Sequence, residues 1–160
     1  MCGFCGYIGK TDINRMENPI HGMMDKIAHR GPDAYGSYID DDMALGHRLL
    51  SIIGIDGGEQ PLYNEDRTLI LVFNGEIYNY RGLRERLIEC GHIFVTQTDS
   101  ECLLHLYEEY GCDMFTHLRG MFAFAIYDTV NKLLFAARDF FGIKPFIMDS
   151  LAVPSCLGPR

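Results

Sequence analysis

The sequence is short of basic side chains. It contains 14 lysine and arginine residues against 22 aspartate and glutamate residues, which gives a formal net charge of -8 at pH 7. No cluster of lysine or arginine reverses this balance locally. Because nucleic acids and anionic membrane surfaces are bound by basic patches, we expect neither as a partner.

Long apolar runs are also missing. No stretch approaches the ~18 apolar residues that a membrane-spanning helix requires. The start of the chain lacks the basic region and long apolar segment of a secretory leader. We therefore expect a cytoplasmic protein. With 48% hydrophobic and 22% charged residues in a chain of 160, one globular domain with its own core is predicted.

The cysteines do not indicate a disulfide framework or a metal site. Nothing in the sequence marks a secreted protein, so free thiols are expected. The spacing Cys2-x-x-Cys5 would fit half of a zinc site, but no second close pair completes it. A redox pair would normally open a helix, whereas this run is typical of a strand. We expect no metal in this chain, and Cys5 to be a buried apolar side chain. The cysteines are Cys2, Cys5, Cys90, Cys102, Cys112 and Cys156.

The start of the chain has the composition of a chain-terminal nucleophile. Cys2 directly follows Met1, and an apolar run with glycines continues to Gly9. Removal of Met1 would place a thiol and a free α-amine on one residue. An α-amine ordinarily has a pKa of roughly 7.7–8.0, so it can serve as general base for its own side chain. The alternative is a chance cysteine at position 2.

The predicted elements follow the order strands, helices, strands. This order favours an α+β fold with antiparallel sheets and helices on their outer faces, and not a doubly wound parallel sheet. We expect a turn at 14–18, a glycine-rich loop at 54–61 and a disordered or loosely attached tail at 147–160. The predicted strands are 4–9, 35–39, 43–53, 68–73, 93–96, 121–127 and 133–137. The predicted helices are 19–29, 81–90, one capped by Asp99 or Ser100 that ends at Gly111, and a short one through Met114 and Leu118.

The dipeptide Asn74-Gly75 follows the apolar run that ends at Phe73. Asn-Gly is typical of a hairpin turn. A side-chain amide and a backbone N–H at a strand end also make a two-donor oxyanion hole, in which each donor stabilises a transition state by about 2.7–4 kcal/mol. The two interpretations are compatible.

Charged residues further along could recognise an amino acid. Asp99 could bind an ammonium group, while Ser100 and Glu101 are expected to serve the start of a helix. A cation for the carboxylate would complete the recognition, and the candidates are Arg30 and Arg48. A solvated arginine is an equal alternative for each.

Together these stretches resemble the glutaminase domain of the class II glutamine amidotransferases, and within that class the asparagine synthetases. The resemblance covers residues 1–146, which we interpret as a glutamine amidotransferase type 2 domain, followed by the atypical tail. Its blocks are residues 1–9, His29-Arg30-Gly31-Pro32-Asp33, Gly57-Gly58-Glu59-Gln60-Pro61-Leu62, 74–80, Asp99-Ser100-Glu101, 119–125 and 137–145.

The resemblance implies an N-terminal-nucleophile hydrolase fold with four αββα layers, in which two antiparallel sheets are stacked. It implies hydrolysis of L-glutamine to glutamate and ammonia through a γ-glutamyl thioester on Cys2, with the Cys2 amine relaying protons. Asn74 and Gly75 would hold the oxyanion. The substrate-binding residues it implies are Arg48, Leu50, Ile52, Asn74, Gly75, Glu76 and Asp99.

The same resemblance implies a synthetase domain or subunit as the partner that receives ammonia. ATP and magnesium would act only there, and its Ser-Gly-Gly-x-Asp-Ser signature is absent from this sequence. No cofactor is expected in this domain, and a homodimer is left open. After Lys144-Pro145 the relatives continue with two more strands, so we expect the sheet to lack its last strands.

One departure concerns the substrate directly. In the family an arginine that precedes a Leu-Ser-Ile run grips the glutamine carboxylate, whereas Leu49 stands there in this chain and Arg48 is one residue early. Neighbouring side chains on a strand point to opposite faces, so Arg48 replaces that arginine only if a bulge re-aims it. Two alternatives follow: a non-catalytic domain with a binding or regulatory role, and a hydrolase of a different amide.

Overall fold

The structure of the chain is a computed structural model that describes residues 2–9, 19–50 and 59–149. Two short 3₁₀ helices, Ala28–Arg30 and Gly111–His117, accompany the main elements. The strands are β1 (Gly3–Ile8), β2 (Ala34–Ile39), β3 (Met43–Leu49), β4 (Leu62–Tyr63), β5 (Leu69–Ile77), β6 (Gly120–Asp128) and β7 (Leu133–Arg138). The helices are α1 (Pro19–Lys26), α2 (Tyr80–Glu89) and α3 (Glu101–Tyr110).

The strands form two antiparallel sheets. The first has the order β1-β3-β2 and the second the order β4-β5-β6-β7. In the first sheet Gly3 pairs with Arg48 and Phe4 with His47. In the second, Asn74 pairs with Ala123 and Gly75 with Phe122. These registers decide which side chains face the space between the sheets.

Alternation along the strands places one apolar face of each sheet against the other. Residues of β3, β5 and β6 form this inter-sheet core, with Phe4 packed at its border. The opposite face of the second sheet packs on α2 and α3 through a larger core, and α1 packs on the first sheet. The result is the four-layer αββα arrangement that the resemblance implies. The inter-sheet core contains Met43, Leu45, Ile70, Val72, Ala125 and Tyr127.

A glycine allows α1 to approach the first sheet closely. A Cβ at Gly46 would lie 2.6 Å from Cγ of Met24, so a larger residue would push the helix away. Ile20 and Met24 are the buried side chains of α1, and both lie against this position. The even-numbered residues of β3 therefore face the helical layer, and the odd-numbered residues face the second sheet.

Three local predictions are wrong. Residues 93–96 form no strand, because the Glu101 carboxylate accepts the N–H groups of Val95 and Thr96 that a neighbouring strand would otherwise bind (2.6 and 2.7 Å). Asn74-Gly75 is not a turn but lies inside β5, which is paired with β6 up to Ile77. Ser100 donates its hydroxyl to Thr98 Oγ1 and provides no side-chain cap to α3.

Several expectations concern residues outside the described part of the chain. They are the turn at 14–18, the glycine-rich loop through residue 58, Ile52 and the tail beyond residue 149. None of the helices in the described ranges has the length and apolar character that crossing a bilayer requires.

Candidate active site

Cys2 directly precedes β1, on the face that is turned toward the second sheet. Phe4 packs at the border of the inter-sheet core, and Cys2, two residues earlier, shares its face. The Leu50 N–H lies 3.5 Å from Cys2 Sγ, and Sγ lies 3.8 Å from the Leu50 carbonyl oxygen. The thiol is thus held against the backbone that follows β3.

Cys5 has the opposite orientation. It pairs with Gly46, whose face is covered by α1. Burial raises the pKa of the Cys5 thiol to about 11, although the charge of Arg48 opposes the shift. Cys5 is partly buried, whereas the sequence predicts a buried side chain. Because a thiol with so high a pKa is protonated near neutral pH, Cys5 is a poor nucleophile.

One edge of β5 carries three backbone N–H groups that point away from β6. On the β7 side, the Phe122 N–H donates to the Asp139 carboxylate, and the Phe122 carbonyl accepts the Asp139 N–H. Gly75, which pairs with Phe122 across the β5–β6 ladder, therefore makes no hydrogen bond with it. The Phe73 N–H donates to Gln60 Oε1 (2.6 Å) and the Ile77 N–H donates to Asp99 Oδ2 (2.7 Å). The Gly75 N–H lies between these two, and we find no acceptor for it among the described residues.

Gly75 also has no room for a side chain. A Cβ at this position would lie 2.3 Å from the Met121 carbonyl oxygen. The neighbouring Asn74 is 5% exposed and shares the inter-sheet face of β5 with Val72. An inward-facing amide and an open backbone N–H therefore stand side by side at the end of a buried strand, as an oxyanion site requires.

The two sheets bring Cys2 and Asn74 to the same end of their interface. The rings of Tyr38, which pairs with Leu45 of β3, and Tyr127, which pairs with Ile70 of β5, are 6.0 Å apart between centroids. Further along β3 and β5, the His47 Nε2–H donates to the Phe73 carbonyl (3.1 Å). The strands β3 and β5 therefore run in the same direction across the interface. Cys2 and Asn74 both lie just beyond the His47–Phe73 hydrogen bond.

Two carboxylates lie at the same end of β5. Glu76 is exposed, and Asp99 is half-buried and held by the Ile77 N–H. Burial raises the pKa of Asp99, the backbone donors oppose the shift, and the charge of Glu76 reinforces it. Two neighbouring negative groups of this kind favour a cationic ligand such as an ammonium group.

The structure separates the two candidate arginines. Arg30 Nε–H donates to the Cys2 carbonyl oxygen (3.2 Å), so this guanidinium lies beside the nucleophile. Arg48 instead pairs with Asp25 (2.7 Å), donates to the Met24 carbonyl and stacks on Tyr35. The register of β3 is continuous on both sides, without the bulge that could re-aim Arg48. Arg48 therefore faces the α1 layer and is not brought together with Cys2.

Leu49 occupies the inward face that Arg48 does not reach. It follows His47 by two residues and is half-buried, one step beyond the Gly3–Arg48 pair and thus opposite Cys2. Leu50 contributes its backbone to the thiol contact, as described above. Ile52 lies outside the described residues.

His47 and Gln60 lie in the site but are not among the residues predicted from the sequence. His47 donates to the Phe73 carbonyl, and Gln60 accepts the Phe73 N–H, directly before Asn74. These side chains take the place of β4, which is too short to pair with β5 at Phe73. Burial lowers the pKa of His47 to about 4, and its bond to Phe73 opposes the shift. A polar residue at an inward position of a buried strand was the signal available for His47; no local pattern indicates Gln60.

Other sequence blocks serve the fold. Asn79 donates to the His117 carbonyl and accepts the Arg119 N–H, which joins the end of β5 to the start of β6. Asp139, 3% exposed, accepts the N–H groups of Phe122, Ile143 and Lys144. Burial works against ionisation of Asp139, but these donors outweigh it and lower its pKa.

Comparison of solved structures shows the fold. The glutamine phosphoribosylpyrophosphate amidotransferase from B. subtilis, complexed with ADP and GMP, superposes with a TM-score of 0.64, covers 81% of this chain and 35% of that chain, and is 21% identical. The fold is that of the N-terminal-nucleophile hydrolases, in which two stacked antiparallel sheets lie between helical layers.

The sequence comparisons then define the family. A family described as "Glutamine amidotransferase domain" matches residues 1–155, and the chain belongs to it. Asparagine synthetase [glutamine-hydrolyzing] 1 of Bacillus subtilis (strain 168) is 46% identical over 94% of this chain and 24% of its own length. Asparagine synthetase [glutamine-hydrolyzing] 3 of Arabidopsis thaliana is 43% identical over 91% of this chain and 25% of its own length. This chain spans about a quarter of the length of these relatives.

Proposed function

We propose that this chain hydrolyses an amide, with L-glutamine as the substrate, to glutamate and ammonia through Cys2. The carrying observation is that the Cys2 thiol, held at Leu50, lies at the same end of the sheet interface as the inward-facing Asn74 and the open N–H of Gly75. Acyl transfer requires a nucleophile and donors that stabilise the oxyanion, and both lie at this end of the interface.

In the proposed reaction the thiolate of Cys2 attacks the side-chain amide carbon, and a tetrahedral oxyanion forms. Asn74 and Gly75 donate hydrogen bonds to this oxygen. With Met1 removed, the α-amine of Cys2 takes the thiol proton and passes it to the leaving ammonia. Water then attacks the thioester and releases glutamate. Glu76 and Asp99 hold the substrate's ammonium group.

The experiment is a comparison of two cysteine variants. Mass spectrometry of the purified protein should show a chain that begins at Cys2, and the wild type should release glutamate and ammonia from glutamine. Cys2→Ala should reduce this turnover to background, because the nucleophile is gone. Cys5→Ala is the matched control and should retain activity, because its thiol faces α1. Equal turnover in Cys2→Ala and wild type would contradict the proposal.

We further propose that the ammonia serves ATP-dependent amide synthesis, with asparagine as the product, in a synthetase domain or subunit. The support is that the relatives at 43–46% identity are named glutamine-hydrolysing asparagine synthetases. ATP and magnesium would act in that partner. Adding a synthetase that lacks its own glutaminase domain to this protein should yield asparagine from glutamine, aspartate and ATP.

Leu49 favours a second candidate function. An apolar side chain opposite Cys2, together with the engagement of Arg48 by Asp25, suits an amide that has no free α-carboxylate. The same thiol chemistry would then act on a different substrate. Comparing turnover of glutamine with turnover of an uncharged amide of similar length separates the two candidates.

A further inference from the structure

A cluster of imidazole and carboxylate groups lies on the helical layer, on the far side of the second sheet from Cys2. His105 and Glu108 are one turn apart on α3, and His92 follows the end of α2. One ligand atom from each of these residues lies within 4.8 Å of the others. Nothing in the proposed glutaminase chemistry uses this cluster.

The two imidazoles converge on a single carboxylate oxygen. His105 Nδ1 lies 2.9 Å and His92 Nδ1 3.3 Å from Glu108 Oε2. The rings are 4.7 Å apart between centroids and are tilted by 41°. Atoms bound at about 2.0–2.1 Å to a tetrahedral zinc ion are roughly 3.3 Å apart, so small side-chain rotations would open a position between the three donors.

The second ring nitrogen of each histidine points toward a carboxylate. His92 Nε2 is 2.9 Å from Glu109 Oε1, and His105 Nε2, fully buried without a hydrogen-bond partner in the described part of the chain, is 3.8 Å from Glu101 Oε1. The other oxygen of Glu108 accepts a hydrogen bond from Asn64 (2.8 Å). Metal-ligating histidines characteristically direct their second nitrogen at a carboxylate, which orients the ring.

Hydrogen bonds hold the backbone around the cluster. The N–H groups of Gly91 and His92 donate to the carbonyls of Ile88 and Leu87, and Gly91 adopts a positive φ of 103°, which closes the end of α2 and positions His92. His105 is 1% exposed and packs against Phe94 (4.5 Å between ring centroids). The ring nitrogens are therefore placed before any ion binds.

Charge in the cluster also favours a cation. The carboxylates of Glu101, Glu108 and Glu109 surround the two imidazole rings. A divalent ion supplies positive charge at the point where these groups converge, and its binding displaces protons from the rings. Two imidazoles and one carboxylate suit a borderline ion such as Zn²⁺ better than Mg²⁺ or Ca²⁺, which prefer oxygen ligands.

We propose that His92, His105 and Glu108 bind one Zn²⁺ ion, with water as the fourth ligand. The ion links the segment that follows α2, through His92, to α3, through His105 and Glu108. Glu108 and His92 are partly exposed, with 26% and 14% of their side-chain surfaces accessible, which leaves a route for the ion and the water. The role is structural, because the site is separated from Cys2 by the second sheet.

The test uses the full chain after chelator treatment, with Co²⁺ as a spectroscopic probe and Zn²⁺ as competitor. One equivalent of Co²⁺ should give visible ligand-field bands without thiolate-to-metal charge transfer, and Zn²⁺ should abolish them. His92→Gln should lose these bands. His21→Gln, which changes an exposed histidine of α1, is the matched control and should keep them.

A second variant covers the case in which His92→Gln fails to fold. Glu109→Gln alters only the carboxylate that orients His92, on the protein surface, and should weaken Zn²⁺ binding by about 10–100-fold in calorimetry. Either of two results would overturn the proposal. One is the absence of stoichiometric binding by the folded wild type. The other is binding that carries thiolate charge-transfer bands and is unchanged in the folded variants, which would place the ion on cysteines.

Discussion

At the scale of single residues, Leu49 and Arg48 are neighbours with opposite environments. Arg48 points to α1 and is paired with Asp25, whereas Leu49 shares the inward face of β3 with His47. The distinction follows from the two-residue period of a strand. A cation at position 49 would stand opposite Cys2, where a substrate carboxylate could reach it.

Leu49→Arg should therefore improve glutamine binding. A new charge-assisted hydrogen bond to a carboxylate contributes about 1.5–3 kcal/mol, which corresponds to a KM lowered by roughly 10–150-fold with kcat little changed. Steady-state kinetics with glutamine is the measurement. Val130→Arg adds the same charge at the exposed turn between β6 and β7 and is the control. An unchanged KM in the folded Leu49→Arg protein would argue for the substrate without a carboxylate.

At the scale of elements, Asp139 joins the end of β7 to the segment that follows it. Its carboxylate accepts three backbone N–H groups, including that of Phe122 in β6. In the sequence, Asp139 is visible only as part of the block 137–145 that carries the family resemblance. Its physical role is to replace strand pairing where β7 ends, at Phe122, the residue that pairs with Gly75.

Asp139→Ala should destabilise the protein by about 2–4 kcal/mol, because buried N–H groups lose their charged acceptor. Urea unfolding monitored by circular dichroism measures the change in the free energy of unfolding. Asp113→Ala, at an exposed position of the second 3₁₀ helix, should change that free energy by less than about 0.5 kcal/mol. Equal effects of the two substitutions would show that the Asp139 hydrogen bonds contribute little.

At the scale of the whole molecule, His47 connects the two sheets. It is fully buried, donates from Nε2 to the Phe73 carbonyl, and leaves Nδ1 without a partner among the described residues. The folded state therefore holds His47 neutral, while the unfolded chain protonates it near its ordinary pKa of 6.5. Between pH 6.5 and about 4 the unfolded state binds more protons than the folded state at this residue.

Stability should consequently fall as the pH decreases through this window. A difference in the His47 pKa between 6.5 and about 4 corresponds to a loss of roughly 3 kcal/mol in the free energy of unfolding once the pH is below about 4. Above pH 6.5, His47 does not lower that free energy. Urea unfolding of the wild type at pH 7 and at pH 5 should show part of this loss. The slope with pH should be shallower in His47→Gln, which does not titrate. Parallel slopes in the two proteins would refute the assignment to His47.

Some secondary-structure elements can be predicted from the sequence, and others cannot. Buried strands such as β5 and β6, and helices such as α2, follow from short-range apolar periodicity. The segment 93–96 has the same β-branched character but forms no strand, because Glu101 binds its amides. An Asn-Gly pair predicts a turn locally, yet β6 continues alongside it to Ile77. In the first case a side chain five to six residues along the chain decides the backbone conformation, and in the second a strand far away in the sequence does so.

The sequence by itself determined the layered α+β architecture and the nucleophile candidate at Cys2, because strand alternation, helical periodicity and a cysteine at position 2 are local properties. Only the tertiary structure decided that Arg48 faces α1, that His47 and Gln60 satisfy Phe73, and that the Gly75 N–H stays open between two occupied neighbours. These outcomes depend on the register of the strands in each sheet and on which face of each strand packs against the other sheet or against the helices. Hydrogen bonds between residues far apart in the chain set both, and no local window of sequence contains them.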